Sequence, residues 1–541
     1  MNIRTYLIRC KKENLIWLFW IFINSLCVFL NGMLSARAIT TLVNFNLREF
    51  IIYSTAILLV NILWVVQIYQ GSKANEKAIQ AMCNEIRKDI SLKLEEAGIE
   101  NYEKKNKSTY LSWMTNDIET ISDLGFETLE LMLMQSLNIF FAIIAFLSFH
   151  FSLLFTITVF FITMIKLPKI FTSKLDKNAL IFSEKNEELV QAVDDVLSGY
   201  RNLKNNNKIS FMTSKIISFA NRYSVAKINY AKTLGGLMAV QNGTSFISQI
   251  TILIHAGCLY FLKLIPLGGV SSSQYFSSII FAGLTGLTAN YAEFKSVNKI
   301  FEKFENIDSE WSEVEVNNSL SIESEKLKGS FILDNISLER SNSSIFSDFS
   351  LEFYANRKYA IIGKSGIGKS TLLKIINQEL HPSKGNIYFV NNNAEKFSLT
   401  NLQESISYIS SDDHIFNESI IFNLTLGKSI PKADIDNVLE RVYLKEWIDT
   451  LPQGLDTILS QTKIDISSGQ KQRIMLARLF LEDKPIWLID EGTSAIDEQI
   501  RKEIERDILK DRGKTVLFVT HHLNNEITSL FDECIDLNDL V

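Results

Sequence analysis

The chain lacks the cysteine pattern of a metal site or a disulfide framework: its five cysteines, Cys10, Cys27, Cys83, Cys258 and Cys534, show no paired short spacing. They read as ordinary reduced or lipid-buried thiols. It also lacks a basic surplus. With 55 Lys and Arg against 61 Asp and Glu, the formal net charge is −6; phosphate backbones are held by clustered Lys and Arg on a basic face, and the lack of any such excess argues against nucleic-acid binding. Apolar sequence is plentiful, at 47% of 541 residues, and it is unevenly spread. Residues 14–70, 126–172 and 237–289 are densely apolar, whereas the chain from about 300 onward has the composition of a water-soluble domain. The pattern predicts a membrane half followed by a soluble half.

The opening "MNIRTYLIRCKKENLIWLFWIFINSLCVFL" has the basic leader and apolar run of a secretory signal, and "ARA" at Ala36 to Ala38 imitates a cleavage site. Yet the apolar run from Leu15 to about Leu34 matches the ~20 residues that cross a bilayer and exceeds a usual signal core. It is expected to be a retained first membrane helix. Apolar windows predict six spans, at about 14–38, 50–71, 127–148, 150–172, 236–263 and 267–289. Positive charge gathers in the leader (Arg4, Arg9, Lys11, Lys12) and in the first long connection (Lys73 to Lys107), while the short connections hold little beyond Arg48 and Lys263. Both chain ends and both long loops are therefore expected on the cytoplasmic side. Each long loop has length for two helical legs reaching about 40 Å past the membrane, with elbows near Asn101–Lys107 and Asn202–Lys208 that would touch a soluble domain.

Polar residues inside the spans have two readings each. Arg37 either faces a central cavity or snorkels to the nearby outer surface. Gln241, Asn242, Gln249 and His255 either line a substrate path or make helix-to-helix hydrogen bonds. "AGLTGLTAN", Ala282 to Asn290, reads as small-residue packing rather than a binding surface.

The soluble half follows a charged linker, "FEKFENIDSEWSEVEVNNS". In "KYAIIGKSGIGKSTLLKIIN" an apolar strand, a glycine-rich turn and a helix succeed one another. The run Gly363, Lys364, Ser365, Gly366, Ile367, Gly368, Lys369, Ser370, Thr371 has P-loop spacing. Its glycines let backbone N–H groups converge on phosphates, Lys369 supplies a cation to the β/γ oxygens, and the Ser370 hydroxyl suits Mg²⁺. "KPIWLIDEGTSAID" then delivers Asp490, suited to hold Mg²⁺, and Glu491, suited to polarise an attacking water. A third strand, "KTVLFVTHHL", ends in His521 and His522; His521 is the better candidate to donate a hydrogen bond to a γ-phosphate. In "ISSGQ" the residues Ser467, Ser468, Gly469 and Gln470 open the helix "GQKQRIMLARLFL", so hydroxyl, backbone amides and helix dipole form an anion site. The nucleotide at Gly363–Thr371 already has a helix N-terminus of its own, and a second is best explained if it covers the γ-phosphate held by another copy of the domain.

The order "GKSGIGKST", "ISSGQ", "IWLIDE", "SAID" and "TH", behind six spans, resembles an ATP-binding cassette (ABC) exporter half-transporter along essentially the whole chain. The resemblance implies a membrane α-helical domain over 1–305, a linker over 306–325 and an α/β P-loop ATPase domain over 326–541. It further implies a head-to-tail dimer sandwiching two ATP molecules with Mg²⁺, Ser494 to Asp497 being the loop that crosses the interface. The chain departs from the family pattern in three places: Ser468 replaces the first signature glycine, Ser411 in "SYISSDDHIFNES" replaces a glutamine that touches metal and water, and Arg340 in "ISLER" replaces the aromatic that stacks on adenine. Arginine can stack by its planar face, but serine does not reach as glutamine does. Slow hydrolysis or an indirect metal contact is expected, within a functioning ATPase, since Glu491 and His521 are both retained.

The resulting expectation is an ATP-driven exporter in a bacterial cytoplasmic membrane, acting as a homodimer among membrane lipid. By analogy its cargo is amphipathic, a peptide natural product ahead of a drug or lipid. With no amino-terminal peptidase, leader removal would fall to another protein. The alternatives are an ATP-gated regulator or channel, and one half of a heterodimer with Ser411 in the weaker half.

Overall fold

The computed structural model describes residues 2–167, 169–310, 329–340, 343–392, 395–398, 404–411, 413–459, 466–520 and 525–540. The chain divides into two compact units, one of Met1–Glu96 with Lys105–Glu310, the other of Ala97–Lys104 with Trp311–Val541.

The first unit is helical throughout. Its long members are Lys11–Val43, Leu47–Glu96, Thr128–Phe149, Phe151–Lys166, Lys169–Ser198, Ile209–Phe261 and Leu267–Ser296. Among the described residues five helical stretches are long and apolar enough to cross a membrane. They coincide with the first five predicted spans. The sixth, Leu267–Ser296, is a helix but a more polar one, because its buried face mixes the small residues Gly268, Gly269, Ser272, Ser273 and Ser277 with the larger Phe276, Ile280, Phe281 and Leu284. These small residues let backbones meet. A Cβ on Gly268 would lie 1.7 Å from the Ala36 carbonyl oxygen, and one on Gly32 would lie 2.5 Å from the Phe276 ring; the Ser272 hydroxyl donates to the Gly32 carbonyl at 2.9 Å. Close backbone approach with interhelical hydrogen bonds is how helices associate where water supplies no drive. Two legs are continuous with their spans as single helices, Leu47–Glu96 and Ile209–Phe261; the first has 50 residues, about 75 Å at about 1.5 Å per residue.

The second unit contains two sheets. One is antiparallel, in the order β2-β1-β4-β5, with β1 at Gly329–Arg340, β2 at Ser343–Tyr354, β4 at Lys384–Asn391 and β5 at Lys396–Ser398. The other is parallel, in the order β6-β7-β8-β3-β9, with β3 at Lys358–Ile362, β6 at Ile406–Ser410, β7 at Ile486–Asp490, β8 at Thr515–Val519 and β9 at Glu533–Asp536. Strand β7 is buried on both faces, as a parallel strand must be. Ile486 and Leu488 enter a core shared with Phe331, Phe346, Tyr359, Leu372 and Phe389, while Trp487 and Ile489 enter a second core with Leu439, Ile474, Phe480 and Ile504. Two cores on opposite faces fix where β7 ends, and ligands of such sheets bind at the carboxyl ends of the strands. The short helix Ile99–Glu103 belongs to this unit: Glu103 pairs with Lys374 at 3.6 Å and Glu100 lies 3.9 Å from His381.

Candidate functional site

After β3 the chain turns through Gly363 to Gly368 into the helix Lys369–Ile376. Gly363, Gly366 and Gly368 have φ of 149°, 82° and 111°, values open to glycine and strained for other residues. At Gly368 packing adds a second reason, since a Cβ would sit 3.0 Å from both Ile345 and Phe346. Lys369 is buried, and its Nζ donates to the carbonyls of Gly363 (2.9 Å) and Lys364 (3.0 Å). The ammonium is thereby held inside the loop. The Lys364 N–H donates to Asn538 Oδ1 at 3.3 Å, tying the loop to the end of the chain.

Asp490 ends β7, in register with Ser410 of β6 and Val519 of β8. Its Oδ2 accepts from the Tyr408 hydroxyl at 3.4 Å, and its Oδ1 is buried without a protein partner among the described residues. Burial pushes this carboxyl above the usual range, with Glu491 adding to the shift and the hydroxyls of Ser370 and Tyr408 opposing it. Tyr408, half-buried beside Asp490, is held far above an ordinary phenol and so remains a donor. A buried carboxylate oxygen lacking a donor, next to a serine hydroxyl, is a fitting oxygen-ligand set for Mg²⁺. Ser370 and Asp490 are the residues that would hold the ion.

Glu491 takes φ of 52°, a left-handed conformation unusual for a residue with a side chain. Backbone bonds maintain it. Its N–H donates to Val519 O at 3.2 Å, and its carbonyl accepts from Ser494 N–H at 3.3 Å and from Gln472 Nε2 at 3.2 Å. Gln472 also donates to Ser494 Oγ at 2.9 Å and accepts the Ala495 N–H at 2.7 Å. Gln472 belongs to none of the motifs. Its signal was periodicity: Gln472 shares a buried helical stripe with Met475, Leu476 and Leu479, and a polar residue on such a stripe must be bonding something.

The "ISSGQ" turn is the start of the helix Ser468–Glu482, and Ser467 is its N-cap. Ser467 Oγ accepts the Gln470 N–H at 3.2 Å while Gln470 Oε1 accepts the Ser467 N–H at 2.9 Å. This capping box occupies a lone pair of the hydroxyl, which refines the expected anion site: the Ser467 proton, with the N–H groups of Ser468 and Gly469, is what remains to face a ligand. Glycine is needed at 469 because a Cβ there would meet the Ala495 carbonyl oxygen at 2.9 Å. Ser468 is exposed, takes the first helical position and is not among the residues with positive φ, so its backbone does not demand the missing first glycine.

Ser411 follows β6 directly, and its N–H donates to the Asp490 carbonyl at 3.2 Å. The replacement for the family's glutamine therefore adjoins the Asp490 backbone. Asp497 caps the helix Glu498–Lys510, its Oδ1 accepting the Gln499 N–H at 3.1 Å. Arg340 ends β1 opposite Ser343; its side chain, and His521 with His522, lie outside the described residues. A cavity of about 90 Å³ adjoins Glu491, lined also by Thr493, Ser494, Arg501 and Thr520.

The helical unit has a larger cavity of about 590 Å³, walled by Met132, Ile139, Phe161, Met164 and Leu284, with polar groups from Ser136, Gln241, Thr285, Thr288 and Tyr291. Of the four polar residues considered for a path, only Gln241 lines it. Asn242 donates to Met238 O, and Gln249 donates to Ser245 Oγ. His255 bridges helices, with ring nitrogens 3.1 Å from Ser152 Oγ and 2.8 Å from Thr156 Oγ1. The segment 282–290 serves both purposes. Gly283 and Gly286 pack on Ile139 and Gln135, whereas the intervening Leu284 and Thr285 face the cavity.

Comparison with known proteins bears on both units. The family model described as ABC transporter matches residues 346–494, and that described as ABC transporter transmembrane region matches 15–284. An ATP-dependent lipid A-core flippase of Pseudomonas syringae pv. tomato is 24% identical over 447 residues, 78% of this chain and 70% of that protein. The lactococcin-G-processing and transport ATP-binding protein LagD of Lactococcus lactis subsp. lactis is 32% identical over 258 residues, 47% of this chain and 36% of its own. A putative export ATP-binding/permease protein of Rickettsia bellii is 25% identical over 490 residues, covering 86% and 82%. The structure of a bacterial Atm1-family ABC exporter with ATP bound superposes with a TM-score of 0.77 at 17% identity, over 97% of this chain and 93% of that one. A transmembrane region and a nucleotide-binding domain thus occur in one polypeptide, and the chain belongs to the ABC transporter family as an exporter-type half-transporter, an ATP hydrolase coupled to transport.

Proposed function

We propose that two copies of this chain enclose two ATP molecules, each between the Gly363–Thr371 loop of one copy and the Ser467 turn of the other, and that this closure drives export of an amphipathic cargo. One observation carries the reading. The helix Ser468–Glu482 presents a hydroxyl proton, two N–H groups and its dipole at an exposed start, in a domain whose phosphate loop already has its own helix N-terminus. An anion brought by a second copy gives that start its purpose.

Lys369, drawn into the loop by two carbonyls, is placed to exchange them for phosphate oxygens. Mg²⁺ between Ser370 and Asp490 would neutralise charge on the β- and γ-phosphates. Glu491, held in its left-handed turn by Val519 and Gln472, orients and polarises the attacking water, and His521 donates to the γ-phosphate. ATP shifts the assembly only if it binds the closed arrangement more tightly than the open one. The Ser467 corner, absent from a lone domain's own site, is what supplies the difference.

The cargo reading draws on the 590 Å³ cavity, whose apolar walls and few hydroxyl and amide groups suit a molecule with both characters. The relatives' names agree in kind: a lipid A-core in one case, lactococcin G in another. The charge distribution favours an orientation with both termini on the cytoplasmic side, and the bacterial source of the relatives favours a bacterial cytoplasmic membrane.

The test is cross-linking with turnover. In full-length protein held with magnesium and a non-cleavable ATP analogue, Ser467→Cys paired with Ser365→Cys should bridge between copies, and Glu491→Gln should abolish hydrolysis. Bridging only within single chains would remove the sandwich. Equal turnover of wild type and Glu491→Gln would favour a second reading, an ATP-gated regulator, which Ser411 beside Asp490 keeps in view.

A further inference from the structure

The helices Lys11–Val43 and Leu47–Glu96 turn at residues 44–46, the end of the bundle opposite the long legs. A cleft of about 440 Å³ opens there, and Arg37, Asn44, Glu49 and Tyr53 place polar groups in it. The volume lies within the roughly 300–1,000 Å³ of small-ligand sites. Its back is rigid: Gly268 packs onto the Ala36 carbonyl, and the Thr40 hydroxyl donates to Ala36 O at 2.8 Å while accepting the Gly268 N–H at 3.2 Å.

Thr40 is committed to the backbone, but the four polar side chains named first are not. Arg37 stacks over the Tyr53 ring, with its guanidinium carbon 5.9 Å from the centroid. Among the described residues neither Arg37 nor Glu49 has an ion-pair partner, although both line the same cleft, and the side chains of Asn44 and Tyr53 have no protein hydrogen bond. Opposite charges held in one cleft without meeting are best matched by a ligand carrying both. Arg37, Asn44 and Tyr53 can donate to phosphate oxygens; Glu49 can accept from an ammonium.

The source of such a zwitterion is indicated by the rim. Leu42, Val43 and Leu47 are exposed, and Phe45, with φ of 53°, stands 95% exposed at the very tip. An apolar tip beside a charged cleft is the profile of a segment sitting at the headgroup level of a bilayer. We propose that this cleft binds the phosphoethanolamine headgroup of a membrane lipid. Phosphocholine offers no N–H to Glu49, and phosphoglycerol offers no cation, so both should bind less well.

The site is separate from the nucleotide chemistry, so its test needs no ATP. Full-length protein is released from micelles containing equal mole fractions of phosphatidylethanolamine, phosphatidylcholine and phosphatidylglycerol, and retained lipid is counted by native mass spectrometry. Wild type should hold phosphatidylethanolamine at least about fivefold over the others. Arg37→Ala should lower that retention about tenfold, the scale of a charge-assisted bidentate contact. Glu49→Gln should erase the preference for the ethanolamine headgroup over choline while total phospholipid persists. Arg37→Lys, which keeps charge without the fork, should fall between. Unchanged basal ATP turnover in each variant shows that the fold is intact; wild-type preference decides the matter even if a variant misfolds. Equal retention of the three lipids by wild type overturns the proposal, as does full displacement by millimolar soluble phosphoethanolamine, which would make the ligand a free metabolite.

Discussion

Gln472 and Ala495 are joined by a 2.7 Å hydrogen bond from the Ala495 N–H to the glutamine side-chain oxygen, and the amide nitrogen of the same glutamine donates to the Glu491 carbonyl. One buried side chain on the signature helix therefore fixes both the acidic turn and the loop after it. Gln472→Leu leaves the Ala495 N–H unsatisfied, at a cost of about 1–3 kcal/mol, and removes one of the two donors to the Glu491 carbonyl. Turnover should fall about tenfold or more while ATP affinity changes little, because Gln472 does not belong to the phosphate loop. Gln472→Glu keeps the acceptor for Ala495 and should lose less. Separate measurement of kcat and nucleotide Kd checks this.

Ser411 offers a gain-of-function test. Its N–H holds the Asp490 carbonyl at 3.2 Å, so the backbone is already positioned and only side-chain length is missing. Ser411→Gln should raise turnover several-fold and lower the Mg²⁺ concentration for half-maximal rate, on the scale of one added hydrogen bond to metal-bound water. A rate unchanged across the Mg²⁺ titration would show that Ser411 is not what limits hydrolysis.

Asp490 makes a prediction about pH. Burial is the main cause of its raised pKa, ahead of Glu491, with Ser370 and Tyr408 acting the other way. A carboxyl raised in the folded state binds more protons there than when unfolded, so stability without metal should decline as pH rises from the ordinary value of 3.8 through the raised one. Asp490→Asn removes the buried charge. It should flatten that decline and raise the melting temperature at neutral pH by roughly 2–4 °C, while eliminating the stabilisation that Mg²⁺ with ATP gives the wild type. Thermal melts across pH, with and without Mg²⁺, measure both effects.

Motifs were readable where geometry follows from short-range chemistry. The positive φ of Gly366 and Gly368, the strand ahead of Asp490 and the Ser467 cap are all local events, and residue type with spacing announces them. Roles set by tertiary approach were not. Nothing near Gly469 says that the Ala495 carbonyl lies against it, and nothing in Gln241, Asn242 and Gln249 says that only the first faces a cavity. Helical phase within a bundle depends on partners distant in sequence, and polar residues in a membrane helix are equally ready to bond their own backbone, as Asn242 does. The sixth span illustrates a milder case. Its length was legible, but its mode of packing through Gly268 and Ser272 needed the Lys11–Val43 helix beside it.

The helix Ile99–Glu103 poses a question of magnitude, because two kinds of contact hold it within the second unit. The pairs Glu103–Lys374 and Glu100–His381 are part-exposed and 3.6 and 3.9 Å long; such pairs contribute about 0.2–1 kcal/mol. Asn101, by contrast, is 3% exposed, and its side-chain oxygen accepts from Lys104 Nζ at 2.7 Å. Lys104 is exposed and stays solvated once that bond is lost, so the cost of truncating Asn101 is that of the packing its buried side chain makes, about 0.5–3 kcal/mol. Asn101 should therefore be the anchor and the ion pairs should tune it. In full-length protein, hydrogen exchange of the 97–104 amides should quicken about tenfold in Asn101→Ala and less than about threefold in Glu103→Ala, and Glu103→Lys combined with Lys374→Glu should recover what either reversal loses. The opposite ranking, with Glu103→Ala the more damaging, would mean that charge rather than burial seats this helix.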